Sequence, residues 1–235
     1  MNLTSLFKSF HIHITLLFFF NLNAQTGKGS FEELLSLTNE KSEESVLYKR
    51  GFIATSLGYI QPIPTGNNFA GEALSGQSGI EWNTHIFIFK GFFAGGGLGA
   101  NYLKVTNPEL VGAYSKSTLY YEYYYLGYDF SPAERIRIAA SFSLGGTSRY
   151  KNKFNYRSQD IAQRDRAKMT KYSLTFNYQL TRSLVIYLDY SYRAEKTDIK
   201  TSEALADFFE KAQYHNIGLG FRFLIGKTDL ISMFL

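Results

Sequence analysis

The side chains able to do acid, base or nucleophilic chemistry are few in this sequence. Cysteine is absent, which removes thiol catalysis, disulfides and thiolate metal sites at once. Of the four histidines, His11 and His13 fall in an apolar leader, so a histidine mechanism has only His85 and His215 to work with. His85 follows Glu81 on the same face of an alternating segment and reads as a hydrogen-bonded interior residue. His215 stands on the opposite, apolar phase of its own segment. The run Gly95-Gly96-Gly97-Leu98-Gly99 has the composition of a phosphate loop, yet no helical pattern follows it to supply the amide cradle such a loop needs. No set of residues has metal-ligand spacing, and no cofactor is expected.

Charge is more plentiful than nucleophiles. Glu81, Glu122 and Asp189, with Arg135, Arg137, Arg193 and Arg222, fall in phase with small and polar residues, and with His85 they are expected to form a paired network inside a barrel. A second group lies between Ser148 and Lys168. There Arg149, Lys151, Lys153, Arg157, Arg164, Arg166 and Lys168 face only Asp160 and Asp165, and this stretch reads as an anion-binding loop. It carries much of the net charge of +5. Ser202 to Ala212 spaces Leu205, Phe208 and Phe209 as a short acidic amphipathic helix, expected to fold over the basic loop as a lid.

The elements that must position these groups are strands. Aromatic residues make up 17% and proline is rare, which suits β structure. From Gly51 onward the chain alternates with period two, broken at regular intervals. Strands are expected at about Gly51–Gln61, Gly79–Lys90 and from Gly91 to Tyr102, then the hairpin Ser117–Gly146, then Thr170–Leu180, Leu184–Arg193 and Asn216–Phe223. In the hairpin, Leu119, Tyr121, Tyr123 and Tyr125 fall on one face and Tyr120, Glu122 and Tyr124 on the other. Asp129 to Glu134 reads as its turn. Strands of ~10 residues with one wholly apolar face match the length needed to cross a bilayer at a tilt.

Short connections at Lys90-Gly91, Asp129 to Glu134 and Thr181 to Ser183 alternate with long ones at Pro62 to Ser78, Lys104 to Lys116, Ser148 to Lys168 and Ala194 to Gln213. The layout predicts an all-β fold: an eight-stranded antiparallel up-and-down transmembrane β-barrel over 51–225, with short turns in the periplasm and long loops outside. Glycines 95, 97, 99, 218 and 220 on the polar face would make room in a narrow lumen. Residues 1–24 read as a cleavable signal peptide, residues 25–50 as a periplasmic segment with a short helix opened by the capping box Ser30–Glu33, and 226–235 as a tail or strand extension.

This architecture resembles the small eight-stranded outer-membrane barrels of diderm (Gram-negative) bacteria, the OmpA-like and OmpX-like group. Asn216-Ile217-Gly218-Leu219-Gly220-Phe221-Arg222-Phe223 is similar to their assembly signal, with Asn216, Gly218, Phe221 and Phe223 at its marked positions and Leu224 to Leu235 following it. The resemblance implies an outer-membrane location in the cell envelope. It also implies outer-membrane lipid, lipopolysaccharide and the barrel-assembly machinery as partners, with an extracellular polyanion as a further one and no nucleic acid. A non-catalytic structural or surface-binding role is expected. Two alternatives stand beside it. A lipid-A-modifying enzyme would use His215, although outer-membrane lipid deacylases carry a Ser two positions after the His, where Ile217 stands here. A soluble periplasmic barrel would instead carry an apolar ligand in its lumen.

Overall fold

The computed structural model describes residues 51–154, 162–226 and 229–234. The leader, the Ser30–Glu33 capping box with its helix, and Arg157 of the basic stretch lie outside the described residues. Eight strands form one closed barrel in which each pairs with its neighbours in sequence and β1 closes on β8. They are β1 (Ile53–Thr65), β2 (Leu74–Phe89), β3 (Phe92–Val105), β4 (Tyr114–Ala133), β5 (Ile136–Phe154), β6 (Ala162–Gln179), β7 (Leu184–Thr197) and β8 (Lys211–Ile225). All pairs are antiparallel. Closure matters because a membrane offers no water to satisfy the backbone groups of an open edge.

Several strands run well past their expected ends, most of them toward the loop side. β5 continues through Ser148 to Phe154 and β6 begins at Ala162, so most of the expected basic loop is a projecting hairpin. Alternation is legible where apolar residues mark one face, and charged side chains on that face conceal its continuation. The expected loop from Ala194 is likewise strand as far as Thr197. Three short helices sit at the loop end: α1 (Phe69–Ala73), capped by the Asn68 side chain, α2 (Pro108–Val111) and α3 (Ala206–Glu210), which follows a 3-10 turn at Glu203–Leu205.

At the other end the turns are tight. Lys90 and Gly91 both have positive φ, 44° and 96°, the backbone that a two-residue hairpin turn requires. β4 continues to Ala133 and turns only at Glu134-Arg135, tighter than the expected Asp129 to Glu134. After β8 the chain returns to this rim, where Leu230 N–H donates to the Phe87 carbonyl over 3.0 Å ahead of a 3-10 turn at Ile231–Met233.

The polarity of the barrel is inverted relative to a water-soluble one. Leu57, Trp82, Leu98, Leu174, Leu188 and Leu219 stand exposed on the outer wall, while Glu81, Arg137, Lys171, Arg193 and Glu195 are buried inside. Such an apolar belt is stable against lipid and not against water. The barrel is therefore transmembrane, crossing with strands; among the described residues no helix is long and apolar enough to span. A periplasmic carrier needs the opposite arrangement, so the apolar-cavity alternative fails. Heat-modifiability is the direct check: an unboiled sample of the outer-membrane fraction is expected to migrate differently from a boiled one on a gel. Identical mobility would contradict a closed barrel.

Candidate functional site

The interior holds three charged layers interleaved with buried aromatic side chains. In the middle layer Lys171 Nζ lies 2.7 Å from each carboxylate oxygen of Glu81 and 3.0 Å from Tyr123 Oη. Tyr121 donates to Glu81 at 2.8 Å, and Asn83 Nδ2 donates to the same carboxylate at 2.8 Å. Nearby, Thr175 donates to Asp189 at 2.7 Å. Toward the turn end, Arg137 Nε donates to Asp129 at 3.1 Å and Arg222 Nη1 donates to Asn177 at 2.8 Å. Toward the loop end, Arg193 lies 4.6 Å over both the Tyr121 and Tyr214 rings, with Nε 3.1 Å from Glu195. Ser148 donates to Glu195 at 2.7 Å, and Tyr150 donates to its other oxygen. Glu81, Asp129, Arg137, Lys171, Arg193 and Glu195 thus each have an opposite charge, and Arg222 lies over the Tyr187 ring, as burial in low dielectric demands.

Space is made for these groups by glycine. A Cβ on Gly99 would lie 2.5 Å from the Tyr121 ring, so the phenols of β4 fold across the bare backbone of β3. The void among Glu81, His85 and Arg222 measures about 30 Å³, room for a water rather than a passage. His85 fills its share by stacking on Phe93 at 4.4 Å, with Nδ1 3.2 Å from Tyr125 Oη.

Against expectation, Glu122 is not in this network. It faces outward and accepts from Thr147 Oγ1 at 3.1 Å. Leu119, Tyr121, Tyr123 and Tyr125 take the interior face instead. An aromatic face looked lipid-directed, but these phenols are the hydrogen-bond donors that Glu81 requires. The pairing of Asp129 with Ala139 and Gly127 with Ser141 places the odd-numbered side of β4 on the inner face of β5. Arg135 sits in the β4–β5 turn rather than in the lumen stack. Three interior charges escaped the sequence reading: Lys171, Asp129 and Glu195, the partners of Glu81, Arg137 and Arg193. Each continues the period-two phase of its strand, which was the available signal.

Outside, the basic residues form a ladder on the wall of the projecting hairpin. Arg149 pairs directly across from Arg166, Lys151 from Arg164, and Lys168 from Lys196. Lys153 occupies the next outward position of β5. Arg149, Arg166 and Lys168 have no ion-pair partner among the described residues, whereas Lys196 is bridged to Glu210 at 2.9 Å. α3 does not close over this ladder as the lid expectation had it. Phe209 stacks on Phe69 at 5.7 Å, and Phe69 meets Tyr150 edge-on at 5.6 Å, so the helix covers the barrel mouth. His215 faces outward with Nδ1 2.7 Å from Tyr190 Oη. In β8, Asn216 and Gly218 point inward while Phe221 and Phe223 stand exposed.

This arrangement, a filled charged bore inside a lipid-facing belt, defines a small eight-stranded outer-membrane barrel. Among solved structures the chain is similar to neisserial surface protein A, at 11% identity over 74% of this chain and 96% of that one, with a TM-score of 0.49. It is also similar to OprG from Pseudomonas aeruginosa, at 12% identity over 76% and 98% with a TM-score of 0.49. A third is Ail, the attachment invasion locus protein of Yersinia pestis, at 12% identity over 74% and 99% with a TM-score of 0.42. No family model and no curated protein matches the chain.

Proposed function

We propose that the protein is a non-catalytic envelope protein of a diderm bacterium, delivered by a cleavable signal peptide, that binds anionic groups at the cell surface through the outer wall of β5 and β6. One observation carries this reading: like charges stand directly opposite on adjacent strands, Arg149 on Arg166 and Lys151 on Arg164. Opposed like charges destabilise a sheet, and an anion lying between them removes that penalty. They also sit just beyond the apolar belt, the level at which lipid headgroups and surface polyanions are met.

The enzyme alternative through His215 lacks support in its surroundings. Its ring nitrogen meets a tyrosine hydroxyl, and its aromatic neighbours are Tyr190 and Tyr192. A deacylating dyad needs a serine-type hydroxyl on one imidazole nitrogen and a further group that orients the ring through the other, and the position two residues on carries Ile217.

The test is retention on immobilised heparin as a function of salt. Wild-type barrel in detergent is expected to bind and to elute as salt rises, because phosphate or sulfate contacts release counterions. The variant Lys151→Gln, Arg164→Gln is expected to elute at clearly lower salt. Equal elution of variant and wild type would remove the wall from the binding function.

A further inference from the structure

One line of register crosses the outer wall from apolar to cationic. Trp82 on β2 is opposite Leu98 on β3, Leu98 opposite Glu122 on β4, Glu122 opposite Thr147 on β5, Thr147 opposite Lys168 on β6, and Lys168 opposite Lys196 on β7. Two surface grooves lie along this line and share Glu122. The first, about 610 Å³, is lined by Arg149, Arg166, Lys168 and Lys196. The second, about 290 Å³, is lined by Trp82, Gly96, Leu98 and Tyr124 and faces lipid.

The second groove lies over Gly96 and Gly97 beside Tyr124, which has a glycine directly across on each neighbouring strand, Gly96 on β3 and Gly145 on β5. Its ring is 74% exposed, more than any other side chain of the outer belt. Next to Gly145 the β4–β5 and β5–β6 registers both slip, a local bulge two residues along β4 from Glu122, the residue that the two grooves share.

We propose that these grooves together hold one molecule of lipid A, with an acyl chain lying over Gly96 against Tyr124 and its phosphates on Arg149, Arg166 and Lys168. The proposal rests on the anion-binding reading above and names its ligand. A lipid with two phosphates fits better than one with a single phosphate. The outward cations occupy successive rungs of the ladder, with backbones about 7 Å apart along each strand, so the ladder offers a separate position to each of two phosphates. Glu122 sets the orientation: a carboxylate between the grooves repels phosphate from the apolar one and leaves that groove to hydrocarbon.

Native mass spectrometry of the delipidated barrel tests this. Bisphosphorylated lipid A, monophosphoryl lipid A and phosphatidylglycerol are added in turn, and heparin retention is measured in parallel. Wild type is expected to keep one bisphosphorylated lipid A at least tenfold more readily than either other lipid. Gly96→Leu with Gly145→Leu is expected to cut that retention about tenfold while heparin binding stays unchanged. Both sites have room for a Cβ: the nearest atom at Gly96 is 3.5 Å away, and nothing lies within 4 Å at Gly145. A heat-modifiable band confirms that the variant folds. Arg149→Gln, Arg166→Gln, Lys168→Gln is expected to lose lipid A and to weaken heparin binding together. Undiminished lipid A in the double-glycine variant, or equal retention of the single-phosphate lipids, overturns the site. Failure of wild type to bind heparin while it keeps lipid A would sink the broader polyanion reading and leave this one standing.

Discussion

Glu81→Ala is expected to lower the unfolding free energy of the barrel by about 3–5 kcal/mol, the range for stranding one member of a buried ion pair. Lys171 would be left 3% exposed, with Tyr123 as its remaining partner. Tyr121 would lose its acceptor as well, and a buried hydroxyl without one carries its own desolvation cost. Urea unfolding in lipid vesicles, followed by the shift from the folded band to the heat-modified one, reads the change. The double variant Glu81→Leu, Lys171→Met is expected to recover most of the loss, because apolar replacement of both partners of a buried pair is often neutral or better. A single variant as stable as wild type would show that the pair does not hold the barrel's centre. A double variant as weak as the single would shift the weight to the surrounding phenols.

Leu188→Arg is the complementary test, on the other side of the same wall. Leu188 is 50% exposed on the outer face, flanked by Phe176 on β6 and Leu219 on β8. On a water-exposed wall the substitution would be worth little, since surface changes usually fall within about 0.5 kcal/mol. In a bilayer it is expected to cost about 2–4 kcal/mol, the range for arginine near the midplane of a transmembrane barrel. The same unfolding assay decides between these values. Leu184→Arg, nearer the turn end of the same strand, is expected to lose less, because the cost falls toward the interfaces. Equal, small losses at both positions would argue that the belt does not meet hydrocarbon.

The faces of most strands were readable in advance. In β1, β2, β3 and β6 to β8, apolar and small residues alternate so cleanly that only one assignment leaves the outer wall apolar. β4 was the exception. Both of its faces are aromatic, with Tyr121, Tyr123 and Tyr125 against Tyr120 and Tyr124, so alternation existed but its direction was ambiguous. A lone Glu122 then tipped it the wrong way. The direction follows from the partner strands: Tyr121 must reach Glu81 on β2, and the glycines of β3 leave it the space to do so. The extent of β5 and β6 is hidden for a related reason. Above the lipid belt their outward residues change from apolar to basic, which reads as loop although the two strands stay paired from Gly146–Met169 to Lys153–Ala162.

The amino-acid pattern alone carries the barrel, its strand number, the end that bears the loops, and the rule that most charges belong inside. These depend on period-two patterning and turn chemistry, both local along the chain. Closure of the sheet adds which carboxylate meets which cation, that Glu122 faces outward, and that the basic residues stack in pairs on an outer wall. Those relations join residues far apart in sequence, such as Glu81 and Lys171. They depend on the stagger between strands when the sheet closes, a quantity that no single strand encodes.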